Sequence, residues 1–162
     1  MIHRVAFVAA LLAIAPLSFG CADAHRVNVV TVLNNGNCRT SDAGVRLIDH
    51  KTLAEFRATH LIGMTQSPEV INNPLHLIAI VPGSYPTPGY AISLSEGAEL
   101  AGRLLTLRVK IKRPAPDAIL AQMVTHPCLV VGVADPIVGR VRVVDEAAAV
   151  IGEVDLPIEQ SP

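Results

Sequence analysis

Few side chains in this sequence have the types and spacing that catalysis requires. His126 and Cys128 are two residues apart, so on an extended strand both would lie on the same face. A histidine beside a cysteine is an arrangement that can activate a thiolate nucleophile. Here Pro127 separates the pair and Cys38 offers a second cysteine, which favours a structural role. We therefore predict no catalytic residue and no enzymatic activity.

The histidines do not form a recognisable metal-binding motif. His50, His60, His76 and His126 lack the i, i+4 spacing of helical ligand pairs, and no C-x-x-C motif accompanies them. The sequence therefore predicts neither a bound metal nor another cofactor.

Residues 1–24 have the features of an export signal. Arg4 gives the start a positive charge, residues 5–17 form an uninterrupted apolar run, and residues 22–24 read A-x-A, as at a signal peptidase site. The run is shorter than the ~20 residues that span a bilayer. We predict cleavage after Ala24, a mature chain without a transmembrane segment, and a periplasmic or secreted protein. A lipoprotein anchored through Cys21 is the alternative.

Export would leave two cysteines, Cys38 and Cys128, in an oxidising compartment. Because an exported thiol tends to find a partner, we predict a disulfide between them. The chain-entropy model gives a loop of this length roughly 4–5 kcal/mol of stabilisation.

Charge and length exclude several classes of protein. The 162 residues include 13 Lys and Arg and 14 Asp and Glu, which argues against binding to nucleic acid or to an anionic membrane. After the signal, the length suits one domain, predicted at 25–145. Residues 146–162 are acidic, and we expect a mobile tail there.

The segment 81–94 is the centre of the predicted fold. Pro88-Gly89 suits a type II turn, because proline presets φ at the second position and glycine accepts positive φ at the third. Tyr85 and Tyr90, the two tyrosines of the sequence, flank this turn. They either pack against the core or form a recognition tip, so the candidate partner-binding loop comprises Tyr85, Thr87, Pro88, Gly89 and Tyr90.

Hydrophobic patterns predict the elements around this loop. Strands are expected at 26–33, 45–48, 75–81, 90–94, 103–112, 121–133 (interrupted at Pro127) and 139–144. A helix is expected at 52–60, with Thr52 as its N-cap and Glu55 completing a capping box. About seven strands and one amphipathic helix indicate an α+β fold, mainly antiparallel β. A β-sandwich with a decorating helix is the alternative.

One predicted strand carries basic residues on its outer side. They are Arg103, Arg108, Lys110 and Lys112. This basic face could bind an acidic partner, or it could be solvated or protect a sheet edge by its charge.

Taken together, these motifs resemble the C-terminal domain of the protease complex subunit PrcB. The resemblance is strongest over 75–133 and rests on an apolar strand, a G-x-x-x-T-x-G-Y turn (Gly83, Thr87, Gly89, Tyr90), a basic strand ending in Pro114 and Pro116, and Thr125-His126-Pro127 before a second apolar strand. The family usually has two glycines before the tyrosine, where this chain has Pro88-Gly89.

The resemblance implies an exported, non-catalytic accessory domain that binds a protein of the envelope, such as a protease. The alternative functions are a carrier of a small apolar ligand and an uncharacterised enzyme. A carrier should contain a large apolar cavity, whereas an accessory module should have a filled core and an exposed patch.

Overall fold

The computed structural model describes residues 27–38, 40, 42–58, 76–95 and 97–157. The predicted export signal, Cys21 and His60 lie outside these residues. The elements within them are β1 (Val29–Asn35), β2 (Gly44–Ile48), α1 (His50–Ala58), β3 (His76–Val81), β4 (Ala91–Leu94), β5 (Glu99–Ala101), β6 (Leu104–Lys112), β7 (Cys128–Val133), β8 (Arg140–Val144) and β9 (Val150–Asp155). In this part of the chain, no helix has the length and hydrophobicity needed to cross a membrane.

The first sheet has the strand order β1-β7-β3-β2, and its neighbouring strands are all antiparallel. The two central strands, β3 and β7, are buried almost throughout. The continuous apolar run at 75–81 predicted such a strand, because a strand covered on both faces needs apolar side chains on both.

The second sheet has the order β4-β6-β8-β9, and β5 also pairs with β6. Its pairings are antiparallel except that of β6 with β8, which is parallel. The predicted alternation in β6 is confirmed: Leu105, Leu107 and Val109 are buried, and the side chains between them are less so. The α+β prediction, mainly antiparallel β with one helix, is likewise confirmed.

The two sheets pack face to face, and α1 covers the outer side of the first. Ile78 and Val131 of the first sheet belong to the same buried cluster as Leu107 and Val141 of the second. On the opposite face of the first sheet, the buried Phe56 of α1 belongs to a second cluster that includes Ala79 and Val130. Each fully buried Val, Leu or Ile side chain in these clusters contributes ~1.5–3 kcal/mol to the stability of the fold. The layering is therefore that of the alternative prediction, a sandwich with a decorating helix.

Two strands appear where the sequence predicted none. No strand was predicted between 94 and 103, but 99–101 are β5, and Gly102-Arg103 is the two-residue turn into β6. Gly102 has φ +61°, which suits the first central position of a type II′ hairpin turn. The second strand, β9, lies within the segment 146–162 that was expected to be a tail.

Cross-strand ion pairs account for the acidic composition of β9. Arg140 Nε lies 2.6 Å from Asp155 Oδ1, and Arg142 Nε lies 2.6 Å from Glu153 Oε1. Opposite charges on adjacent strands stabilise the pairing of β8 with β9. The expected tail is therefore corrected over 150–155, while 158–162 lie outside the described residues.

The start of α1 also differs from the prediction. The helix begins at His50, and the backbone N–H of Thr52 donates to the carboxylate of Asp49 at 2.7 Å. Asp49 is therefore the N-cap, and Thr52 lies within the first turn. The hydrogen bond from Thr52 lowers the pKa of the Asp49 carboxyl group.

Candidate functional site

The segment 85–90, here called the tyrosine loop, is held in place by its own rings. The rings of Tyr85 and Tyr90 are stacked, with centroids 4.2 Å apart and an angle of 21° between their planes. Both residues are partly buried. Stacked aromatic pairs contribute ~0.5–1.5 kcal/mol beyond the area that they bury. The two tyrosines of the sequence therefore form one structural unit.

Backbone hydrogen bonds connect the tyrosine loop to the segment preceding β7. Tyr85 and Thr125 form an antiparallel bridge in which each N–H donates to the other's carbonyl at 2.9 Å. The Thr125 hydroxyl donates to the carbonyl of Thr87 at 3.0 Å. Thr125 is only 2% exposed, so these bonds satisfy a buried polar side chain. In the sequence, the T-x-P motif is the feature of Thr125 that could have indicated this role.

Gly89 occupies a position that suits only glycine. Its φ is +95°, as the predicted Pro88-Gly89 turn requires. A Cβ atom there would lie 3.0 Å from Cβ of Pro114 and 3.8 Å from a methyl group of Leu120. The tyrosine loop thus rests directly on the connection between β6 and β7. Thr87 and Pro88 are partly buried as well, so much of this loop is packed.

The connection between β6 and β7, residues 113–127, presents the apolar surface at this end. The relative exposures of Ile119, Met123 and Val124 are 102%, 52% and 59%. The sequence predicted that 121–127 begin a strand, but β7 starts at Cys128 and only Thr125 forms a bridge. The prediction was wrong because 121–124 alternate in hydrophobicity but pair with no strand among the residues that the structure describes.

A groove of about 260 Å³ lies next to the tyrosine loop. Its lining comprises Tyr85, Ile111, Arg113, Asp145, Glu146 and Ala147. Burial, and to a lesser degree Tyr90, raises the pKa of Tyr85, while Arg113 opposes the shift. The phenol therefore stays protonated at neutral pH, and its hydroxyl can donate a hydrogen bond.

The β8–β9 turn forms one wall of this groove. The Asp145 carboxylate accepts the N–H groups of Ala147 and Ala149 at 2.8 and 2.9 Å. Ala148 adopts φ +63°, a left-handed conformation that is unfavourable for a residue with a Cβ. Asp145 thus holds the turn in a strained conformation.

The four residues of the predicted basic face lie in different surroundings. Arg108 donates to the carbonyl of Asp145 at 3.2 Å, and Lys110 lies 3.6 Å from Glu146, so both serve the β8–β9 turn. Lys112 is exposed at the end of β6. Arg103 lies in the turn at the other end of β6. Binding of an acidic partner by this face stays a prediction.

Cys38 and Cys128 lie at disulfide distance, as predicted. Their Cα atoms are 6.0 Å apart, and both residues are buried. The N–H of Cys38 donates to the carbonyl of His126 at 2.9 Å, and the N–H of His126 donates to the amide oxygen of Asn37. The cysteine pair therefore anchors the segment that carries Thr125 to the end of β1.

The described residues contain no group of three or more His, Cys, Asp or Glu side chains that could hold a metal ion. Cys128, which the sequence places two residues after His126, has no exposed surface and lies at disulfide distance from Cys38.

Comparison with known proteins finds a family match for part of the chain. The family described as PrcB C-terminal matches residues 76–134, from β3 to just past β7. No curated protein and no solved structure matches the chain. The matched range includes the tyrosine loop, β6 and the 113–127 connection, which carry the motifs seen in the sequence. Residues 76–134 of this chain therefore match the PrcB C-terminal family.

Proposed function

We propose that this protein is an exported, non-catalytic accessory module that binds a protein of the cell envelope. The observation that carries the proposal is the 113–127 connection, which exposes Ile119, Met123 and Val124 while it packs against the tyrosine loop. We place the contact with the partner on this surface, here called the apolar surface, with the tyrosine loop as its support.

Two physical arguments favour recognition at the apolar surface. Connections of this length without regular structure are uncommon in compact domains, and they are usually either functional or disordered. In addition, the bridge to Tyr85 and the contact of Gly89 with Pro114 restrain the connection before any partner arrives. A restrained loop loses little conformational entropy on binding, so more of the contact energy appears as affinity.

The match to the PrcB C-terminal family supports a protease complex as the setting of this interaction. The resemblance implies a domain that associates with a protease, rather than one that cleaves peptides. Cys38 and Cys128, at disulfide distance, fit a compartment outside the cytoplasm. The partner that we propose is therefore an envelope protease or a protein assembled with one.

The packing favours this proposal over a carrier of an apolar ligand. The space between the sheets is filled by fully buried side chains, among them Ile80, Leu107 and Val131. A carrier of an apolar ligand would instead need an apolar cavity between the sheets.

The test is capture of the partner by the tagged mature protein from envelope extract, with identification by mass spectrometry. Ile119→Ser combined with Met123→Ser should reduce recovery of a protease-containing complex by roughly 10-fold or more, because central apolar contacts dominate interfaces. The control is Ile137→Ser, whose side chain is 45% exposed in the β7–β8 connection.

All these side chains are exposed, so the variants should unfold at the temperature of the unmodified protein. Equal recovery by the double variant and the control would remove the apolar surface from the proposal. If no protease-related protein is recovered by the unmodified chain, the proposed partner is wrong.

A further inference from the structure

A second candidate binding site lies at the other end of β6. This arginine groove has a volume of about 330 Å³ and is lined by Arg103, Leu104, Gly139, Arg140, Arg142 and Asp155. From Leu104 to Lys112, beside the tyrosine loop, β6 spans roughly 26 Å at about 3.3 Å per residue. The arginine groove is thus separate from the apolar surface, and the inference does not depend on the proposed function.

The backbone brings three arginines together here. The carbonyl of Arg103, in the β5–β6 turn, accepts the N–H of Gly139 at 2.9 Å and that of Arg140 at 3.1 Å. Arg140 and Arg142 are two residues apart on β8, so their side chains share one face. The parallel pairing of Leu104 with Arg140 fixes this register.

The charges around the groove do not cancel. Arg140 pairs with Asp155 and Arg142 with Glu153, each through its Nε at 2.6 Å. Arg140 also lies 4.0 Å from Glu153 through its Nη1 atom. A guanidinium has five N–H donors, so donors of both arginines remain available. Among the residues that the structure describes, no carboxylate forms an ion pair with Arg103. Three arginines facing two carboxylates leave the groove with one positive charge in excess.

Gly139 provides the surface on which the Arg103 guanidinium lies. A Cβ at position 139 would be 2.8 Å from Nε of Arg103, 3.2 Å from Nη2 and 3.4 Å from Cζ. Any side chain at that position would displace the guanidinium. The structure thus positions Arg103 both by the hydrogen bonds of its carbonyl and by the absence of a side chain opposite it.

We infer that the arginine groove binds one carboxylate group of a peptide, and that Arg103 makes the principal contact with this group. A planar guanidinium presents two parallel N–H donors to the two oxygens of a carboxylate. The single excess charge suits one carboxylate better than a polyanion. The partly buried Leu104 offers an apolar contact to the carbon chain that carries the carboxylate. Two sources share this chemistry, an acidic side chain and the C-terminus of a peptide, and the experiment distinguishes them.

The experiment follows backbone amide and arginine Nε signals by NMR during titration with short peptides. One peptide has a free C-terminus and no acidic side chain, a second is its C-terminal amide, and a third is the amide with an internal glutamate. Inorganic phosphate is the fourth probe. We expect saturable shifts of Gly139, Arg140 and the Arg103 Nε with the first or third peptide and none with the second.

Three variants of the full mature chain assign the effect. Arg103→Gln should weaken binding roughly 10-fold or more, as expected for loss of a charge-assisted hydrogen bond. Gly139→Ala should weaken it by a similar factor, although the net charge is unchanged. Lys112→Gln, the matched control, removes one positive charge at the far end of β6 and should leave binding within about twofold, because exposed charges at that distance are screened.

Each remaining outcome would overturn the inference. If no peptide gives saturable shifts, or if Lys112→Gln weakens binding as much as Arg103→Gln, the groove has no carboxylate site. If only phosphate binds, the site is one for inorganic anions. Unchanged binding by Gly139→Ala would show that the backbone of Gly139 does not position the Arg103 guanidinium for binding.

Discussion

The two ends of β6 are built by different forces. At the Lys112 end, stacked rings, a backbone bridge and a positive-φ glycine hold the tyrosine loop against the 113–127 connection. At the Leu104 end, ion pairs and the bare backbone of Gly139 arrange three arginines. The first end thus depends on packing, and the second on charge.

This difference determines how each end should respond to its surroundings. Exposed charges are screened over ~8–10 Å at physiological salt, so binding in the arginine groove should weaken as salt rises. Packing at the tyrosine loop should respond little. The ends also differ in their relation to the family. The tyrosine loop and the connection lie wholly within 76–134, whereas Arg103 and Leu104 are the two residues of the arginine groove in that range. The family match therefore covers one end of β6 completely and the other only in part.

The largest effect that we predict is loss of the cysteine pair. Replacing Cys38 and Cys128 with alanine should lower the free energy of unfolding by roughly 2–5 kcal/mol, measured by guanidinium denaturation. Because the pair anchors the segment leading to Thr125, NMR shifts should concentrate at the tyrosine loop and spare the arginine groove. An unchanged denaturation midpoint, or equal shifts at both ends, would contradict this coupling.

The same substitution at two glycines separates the two ends most directly. Gly89→Ala should cost roughly 1–3 kcal/mol, because it combines positive φ with the close approach of Pro114. Gly139→Ala should change stability by no more than ~0.5 kcal/mol, because only the end of a flexible arginine must move. Thermal unfolding of the pair provides the measurement. Similar losses in both variants would mean that the ends are not held differently.

The ring of Tyr85 should contribute to stability as well as to the surface. Tyr85→Ala should lower the free energy of unfolding by roughly 1–2 kcal/mol through loss of the stack, and Tyr85→Phe, the control, should be nearly neutral. If Tyr85→Ala unfolds at the same temperature as the unmodified protein, the stacked rings do not contribute to stability.

A titration to high pH tests the surroundings of the Tyr85 hydroxyl. Its pKa is raised from the ordinary 10.0 by burial first, and by Tyr90 second. Folding therefore favours the neutral phenol, and this contribution is fully present below pH 10. It is lost as the pH rises towards the folded pKa, so the unmodified protein should lose more stability there than Tyr85→Phe. Parallel pH dependence of the two proteins would contradict the assignment.

Local patterns were sufficient to predict several features. The alternation of β6, the two-sided apolar run of β3 and the turn at Pro88-Gly89 depend on neighbours in the sequence, and each is confirmed. The pairing of Cys38 with Cys128 was predicted because only two cysteines would remain after the expected export.

The features that the sequence did not predict depend on residues far apart in the chain. The acids of β9 resemble a solvated tail until Glu153 meets Arg142 across the sheet. The pattern of β9 is also broken by Gly152, where a Cβ would lie 3.0–3.1 Å from the side chain and backbone of Val45. The arginine groove needs the β5–β6 turn beside β8, and only the parallel pairing of β6 with β8 provides it.

The smallest effect that we predict is a gain in stability at the β8–β9 turn. Ala148 has φ +63°, so Ala148→Gly relieves the strain on a Cβ and should stabilise the protein by up to ~1 kcal/mol. The adjacent Ala147 does not have positive φ, so the control Ala147→Gly should destabilise by up to ~1 kcal/mol through chain entropy. Opposite shifts in the unfolding temperature would show that the turn beside the Tyr85 groove is held against its own preference. Equal shifts of the same sign would show that Asp145 and its hydrogen bonds impose no strain there.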